Sequence, residues 1–260
     1  MIKIARVSDP KSVDAELGAL PRGLSFFEPI LKHESGEELE AGGEVLVSEG
    51  AEGKNGLFIY DGYEATGTIF TKSREAFDRF YGLKPSSYIF SELDAAGVPR
   101  EDWNIWQLDV DGAKTDRRFR HQVSIDSDPK EIEEFMALAQ PETNPRWVSV
   151  ALRNGDRCFV VKISNRIAGI AWMAITGGIA RSHGLYVDPK FRRTGITTDI
   201  FHARLLYLKS RRIHTLINEI AEDNVASSSH ARKIGERVVG RLFLYYSPES
   251  GRPPEQIRTL

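Results

Sequence analysis

The chemistry in this chain concentrates in one stretch, Val187-Asp188-Pro189-Lys190-Phe191-Arg192-Arg193-Thr194-Gly195-Ile196-Thr197-Thr198. It leaves an apolar run, turns at a proline, sets two arginines side by side and enters a helical pattern through Gly-Ile-Thr. A helix N-terminus leaves about four backbone N–H groups without intrahelical partners and carries roughly half a unit of positive charge. Gly195 has no Cβ, so a ligand can approach the backbone there. The guanidinium groups of Arg192 and Arg193 match phosphate oxygens in shape and charge. Together these features describe a site for a phosphate or pyrophosphate. Taken as an isolated fragment, the same residues also read as a solvated turn.

The surrounding elements decide between the two. Residues 120–126 are a short strand, and Ser127-Asp128-Pro129 then caps a helix over 130–140 with Ile132, Phe135, Met136 and Ala139 at helical spacing. Residues 158–163 and 167–176 are strands joined by a tight turn at Ser164-Asn165-Arg166. A third strand, 179–187, ends at the opening stretch. A helix follows over 198–211, with Ile200, Ala203, Leu206 and Tyr207 on its apolar face. Residues 215–221 form a strand, 225–234 a helix stopped by Gly235, and 237–246 a closing strand. The order is β-α-β-β-β-α-β-α-β.

The first part of the chain is an α+β module. Strands are expected over 44–47, 56–60, 65–71 and 104–110, with a helix over 74–81. It carries no chemical motif. Gly112 and the charges of residues 111–118 mark an exposed connector, which divides the chain into a module of residues 1–115, a domain of residues 116–248 and a tail of residues 249–260. The cations Lys114, Arg117, Arg118 and Arg120 read as a solvated connector face.

Bulk properties exclude several classes. The 260 residues have a formal net charge of −2, so the whole-molecule field gives no reason to expect nucleic acid. No apolar run reaches the ~20 residues of a membrane span. A single cysteine, Cys158, rules out an internal disulfide and a cysteine-rich metal site, and His202, His214 and His230 have no metal-ligand spacing. The expectation is a cytoplasmic protein with neither nucleic-acid nor membrane partners. The sequence does not fix its oligomeric state.

In this context the phosphate stretch resembles the acetyl-CoA loop of the GNAT superfamily of N-acetyltransferases. That family's Val-x-Pro-x-x-Arg-x-x-Gly pattern is matched by Val187, Pro189, Arg192 and Gly195, while Thr197 stands where Gly or Ala is usual. A second block, Asn224, Ser227, Lys233 and Gly235, is similar to the Asn-x-x-Ser…Lys-x-Gly segment that follows the family's fifth strand. The resemblance covers about residues 118–247. It implies an α/β (α+β) fold with a mixed, centrally splayed sheet flanked by helices. The N-terminal module becomes a possible degenerate copy, although it has no second Arg-x-x-Gly loop.

The resemblance also implies a reaction: direct transfer of an acetyl group from acetyl-CoA to a primary amine of a small molecule or peptide. The cofactor's pyrophosphate would sit on amides from Arg193 through Thr194, Gly195 and Ile196 to Thr197, with Arg192 beside it. The pantetheine arm would pair with backbone groups of Leu185 and Val187, between the strands ending at Val187 and Ala221. Asn224 and Ser227 lie where the family contacts the pantetheine or adenylate end. The family's usual proton-donating tyrosine position is Ala231 here, with His230 beside it. For the base, His183 and Glu219 are the candidates. Alternation would place His183, Leu185 and Val187 on one face. Each candidate also has a plain structural reading, as a hydrogen-bonded strand histidine and a paired surface carboxylate. The absent tyrosine leaves a non-catalytic acyl-CoA-binding protein as the alternative.

Overall fold

The computed structural model describes residues 2–9, 12, 13, 15, 28–62, 65–84, 87–126, 128–139, 141, 144 and 146–246. The C-terminal tail, Pro85 and the expected capping residue Ser127 lie outside them. Among the described residues the chain forms two compact units. One holds the residues up to Trp103 together with those from Arg241 onward; the other holds Asn104–Gly240.

The second unit contains β6 (Arg100–Asp109, from Asn104 on), β7 (Val123–Ile125), β8 (Arg157–Ile163), β9 (Arg166–Thr176), β10 (Ile179–Val187) and β11 (Thr215–Ala221), in sheet order β6-β11-β10-β9-β8-β7. Strands β7 to β10 run antiparallel to their neighbours, whereas β10 and β11 are parallel. A parallel pair requires a crossover, and the helix Ile196–Arg211 supplies it. The hairpin between β8 and β9 turns on Ser164 and Asn165, both left-handed (φ 51° and 62°), as a two-residue turn demands.

Other helices of this unit are Pro129–Ala139, Trp147–Asn154 and Val225–Ile234. Asp128 accepts from the amide of Lys130 at 3.0 Å, so the first helix is capped beside the proline that opens it. Helix Trp147–Asn154 was not expected. Its eight residues include the β-branched Val148 and Val150, poor helix formers. Burial of Val148, Val150 and Ala151 holds it, and Gly155 (φ 103°) ends it.

The first unit repeats the same plan. Strands β1 (Lys3–Val7), β2 (Glu44–Gly50), β3 (Gly53–Asp61) and β4 (Thr66–Thr71) are antiparallel in sequence. A helix, Arg74–Leu83, then crosses to β5 (Tyr88–Ser91), parallel to β4. The sheet is completed by the distal part of β12 (Arg237–Tyr245), whose Phe243–Tyr245 pair with Ile89–Ser91. Thus the first unit takes its last strand from a distant segment of the chain, Arg241–Tyr245. Strands β1 and β5 and the helix Glu28–Ala41 were absent from the sequence expectation.

In chain order the helices are α1 (Glu28–Ala41), α2 (Arg74–Leu83), α3 (Pro129–Ala139), α4 (Trp147–Asn154), α5 (Ile196–Arg211) and α6 (Val225–Ile234). The second unit's core packs Phe159, Val161, Ala171 and Met173 of the sheet against Ile196, Ile200, Leu205 and Leu208 of α5. Of the expected apolar face of α5, Ile200 is buried and Ala203 and Tyr207 pack against this core, but Leu206 is exposed. The buried stripe runs through Ile196, Ile200, Arg204 and Leu208. No helix of the described residues is long and apolar enough to cross a membrane.

Candidate active site

The site begins where two strands part. Strand β10 pairs with β11 only at Ile179–Arg181 with Thr215–Ile217. Beyond Arg181 the pairing stops. On the other side, β10 stays paired with β9, but its register shifts between His183 and Tyr186. Gly184 and Leu185 there oppose the single residue Ala171, which makes a β-bulge, and Gly184 takes φ 55°. The bulge breaks the expected alternation, so Ser182, His183, Gly184 and Leu185 all border one cavity of about 420 Å³. Val187 does not; it borders a neighbouring cavity at the loop after β10.

The larger cavity lies under the N-terminal half of α5 and beside α6. Thr197, Phe201 and Arg204 reach it from α5, Asn218 and Glu219 from β11, and Asn224, Ser227 and His230 from the α6 segment. Asn224 caps α6, accepting from the amide of Ser227 at 3.1 Å, which fixes both residues at the wall.

A second cavity of about 400 Å³ opens at the loop and is lined by Val187, Arg192, Arg193, Gly195, Ile196 and Thr197. Thr197 and Thr198 border both cavities. Arg193 (φ 65°) and Gly195 (φ 101°) are left-handed, turning the chain tightly into α5. The first intrahelical bond runs from Asp199 N to Gly195 O at 3.0 Å, so the preceding amides are those a helix start leaves free. Ile196 contributes only its backbone, because its side chain is in the core. Thr194 borders neither cavity; its hydroxyl donates to Phe191 O at 2.7 Å and closes the loop on itself.

Three more cations reach the second cavity: Arg117, Arg120 and Lys233. Two of these, Arg117 and Arg120, come from the connector, which is exposed as expected and also borders the cavity. The cause is Asp199, fully buried in the first turn of α5, whose Oδ2 accepts from the amides of Arg120 (3.2 Å) and His121 (2.9 Å) and lies 2.8 Å from His121 Nδ1. The carboxylate thereby anchors the connector across the loop. Arg120 lies so close to Gly195 that a Cβ there would stand 3.3 Å from its Cδ.

Both candidate bases border the larger cavity. His183 Nε2 lies 3.4 Å from Asp156 Oδ2, and its ring meets Trp147 edge-on at 5.6 Å. Glu219 is held by Arg181, whose Nε is 3.1 Å from each carboxylate oxygen. The sequence reading assigned no role to Arg204, Glu236 or His230. Burial lowers the Arg204 pKa to about 10 and raises that of Glu236 to about 6. His230 packs against Phe201 with Nε2 unpartnered, and burial, then Lys233, Arg117 and His202, hold it below the ordinary imidazole range. Cys158 is buried, and its thiol is pushed well above the ordinary range, which makes it inert.

The acetyltransferase (GNAT) family model matches residues 121–235. That segment is a GNAT acetyltransferase domain. The chain is similar in fold to a tandem GNAT protein from the clavulanic acid biosynthesis pathway, at 13% identity and TM-score 0.61, over 98% of this chain and 100% of that one. It is also similar to a GCN5-related N-acetyltransferase from Sphaerobacter thermophilus, at 15% identity and TM-score 0.56, over 94% of both chains. A GNAT-family acetyltransferase from Colwellia psychrerythraea matches at 11% identity and TM-score 0.56, over 94% of this chain and 100% of that one. At these identities the likeness concerns the fold, and it runs through both units. No curated protein matches the sequence.

Proposed function

We propose that this protein is an acetyl-CoA-dependent N-acetyltransferase that joins its two substrates in a ternary complex. The observation that carries the reading is the adjacency of the two cavities. A cationic, amide-rich mouth at Arg192–Thr197 shares Thr197 and Thr198 as lining with the cleft where β10 and β11 part. A molecule with a diphosphate at one end and a slender arm ending in a thioester fits that plan. The residues present suit the cofactor: amides and guanidinium groups for the diphosphate, and the unpaired edge of β10 for the amides of the arm.

In this reading the amine must lose its proton before attack, because an ammonium has no lone pair and a lysine-like amine has pKa ~10.4. His183 is the base, since its imidazole borders the cleft beside a buried carboxylate. Glu219 is the weaker candidate because Arg181 already occupies both oxygens. The bulge frees backbone N–H groups near Leu185 to stabilise the tetrahedral oxyanion. The amine's lone pair forms the C–N bond, the C–S bond breaks, and the nitrogen's extra proton passes to the departing thiolate, which leaves as CoA thiol.

The first unit reads as a degenerate copy of the same fold. It repeats the strand–helix plan, but β4 and β5 pair at every residue of β5 and leave no cleft between them. The test is release of free thiol from acetyl-CoA with a panel of primary amines. Amine-dependent release supports the transferase reading, and CoA binding without turnover on any amine overturns it.

A further inference from the structure

Arg204 stands in the buried stripe of α5, 4% exposed, and borders the larger cavity. Its Nη1 donates to Ser182 Oγ at 2.6 Å, and its Nη2 donates to the carbonyls of Trp172 at 2.5 Å and His183 at 3.3 Å. None of these partners is a carboxylate. Its Nε–H is buried and finds no acceptor among the described residues. Glu236 borders the same cavity and its charge acts on Arg204 across it, but its oxygens accept from Asn218 Nδ2 at 2.9 Å rather than from the guanidinium. The depressed pKa of Arg204 still leaves it charged at neutrality.

Its place in the fold gives that cation a meaning. Ser182 is the first residue of β10 beyond the last pair with β11, so Arg204 sits at the apex of the cleft. The phosphate loop lies at the opposite, open end. A cofactor laid from the loop toward the apex presents its acyl end, and the amine beside it, to this region. An acetyl group and a neutral amine bring nothing to offset a buried cation, whereas a carboxylate does.

We propose that the apex of the cleft is a carboxylate subsite, in which Arg204 recognises a carboxylate carried by one of the two substrates. The carboxylate comes either from a dicarboxylic acyl thioester or from an amino-acid-like acceptor. The inference rests on the acyl-CoA reading above. The opposing view is that Arg204 only pins the bulge through the carbonyls of His183 and Trp172, in which case carboxylates gain no preference.

Calorimetry on the full-length protein separates these views. Free CoA is measured first. One arm compares acetyl-CoA with succinyl-CoA. The other compares butylamine with 4-aminobutyrate on the CoA-saturated protein. The expected result is at least a tenfold preference for the carboxylate-bearing ligand in one arm, which also names its source. In Arg204→Gln that ratio is expected to fall to within twofold. Wild-type affinities within twofold in both arms overturn the subsite while leaving the acyl-CoA reading intact, and this holds even if Arg204→Gln does not fold. A preference undiminished in folded Arg204→Gln overturns it as well. Absence of CoA binding overturns the acyl-CoA reading, and the subsite with it.

Discussion

His183 and Asp156 meet at the wall of the cleft, Nε2 to Oδ2 at 3.4 Å, with Asp156 only 1% exposed. The separation is longer than a strong hydrogen bond, and the histidine sits on the strand next to the bulge. His183→Ala removes the imidazole without touching the phosphate loop. The expected outcome is a fall in kcat of about 10²-fold or more, with the acetyl-CoA Kd nearly unchanged. Steady-state kinetics and calorimetry on the same preparation check it, and an unaltered kcat returns His183 to a structural role.

Gly195 combines φ 101° with a close neighbour, Arg120, whose Cδ lies 3.3 Å from where a Cβ would stand. Gly195→Glu adds backbone strain, bulk and a negative charge at the amides. CoA binding is expected to vanish, whereas the circular dichroism spectrum stays that of a folded protein. Tight CoA binding by this variant would contradict the assignment of the loop.

Much of the second unit was legible because its signals are local. The Ser164–Asn165 turn, Pro129 at a helix start and Gly235 at a helix end each fix a boundary by backbone chemistry, and the structure places strands and helices accordingly. Those signals were weak in α4 and α1. The first is only eight residues long and includes the poor helix formers Val148 and Val150, and the second has almost no apolar periodicity. Arg204 was invisible for a different reason. A long cation on a helix is read as solvated, and only the register end at Arg181 and the bulge show that polar acceptors await it inside. The connector arginines are solvated as read, but their place beside the loop was not legible, since Asp199 anchors that segment from about 80 residues away in sequence.

That anchoring is itself testable. Arg117 and Arg120 add to Arg192, Arg193 and Lys233 around the loop cavity, and all but Arg192 and Arg193 lie outside the family motif's arginine–glycine stretch. The side chains are exposed, so their attraction for phosphates is screened by salt. Arg117→Ala/Arg120→Ala is expected to weaken CoA roughly tenfold at low ionic strength, equivalent to about 1.4 kcal/mol, and much less at high salt. Titrations at two ionic strengths check this. A loss that does not shrink with salt points instead to a collapsed loop.

Glu236 sets a pH dependence of folding. Burial raises its carboxyl pKa from 4.5 to about 6, against the opposing pull of the Asn218 hydrogen bond and the Arg204 cation. A raised carboxyl pKa means the folded state holds its proton more tightly than the unfolded chain. The group's stabilisation is thus present below pH 4.5 and is lost as pH rises through about 6, a change of about 2 kcal/mol. Glu236→Gln keeps a carbonyl for Asn218 but carries no charge to desolvate. The variant and wild type are expected to be similarly stable near pH 4, with the variant gaining up to about 2 kcal/mol over wild type by pH 7. Urea denaturation from pH 4 to 8 checks the sign, because a difference that stays flat across that range would mean the carboxylate is already solvated or neutralised in the folded protein.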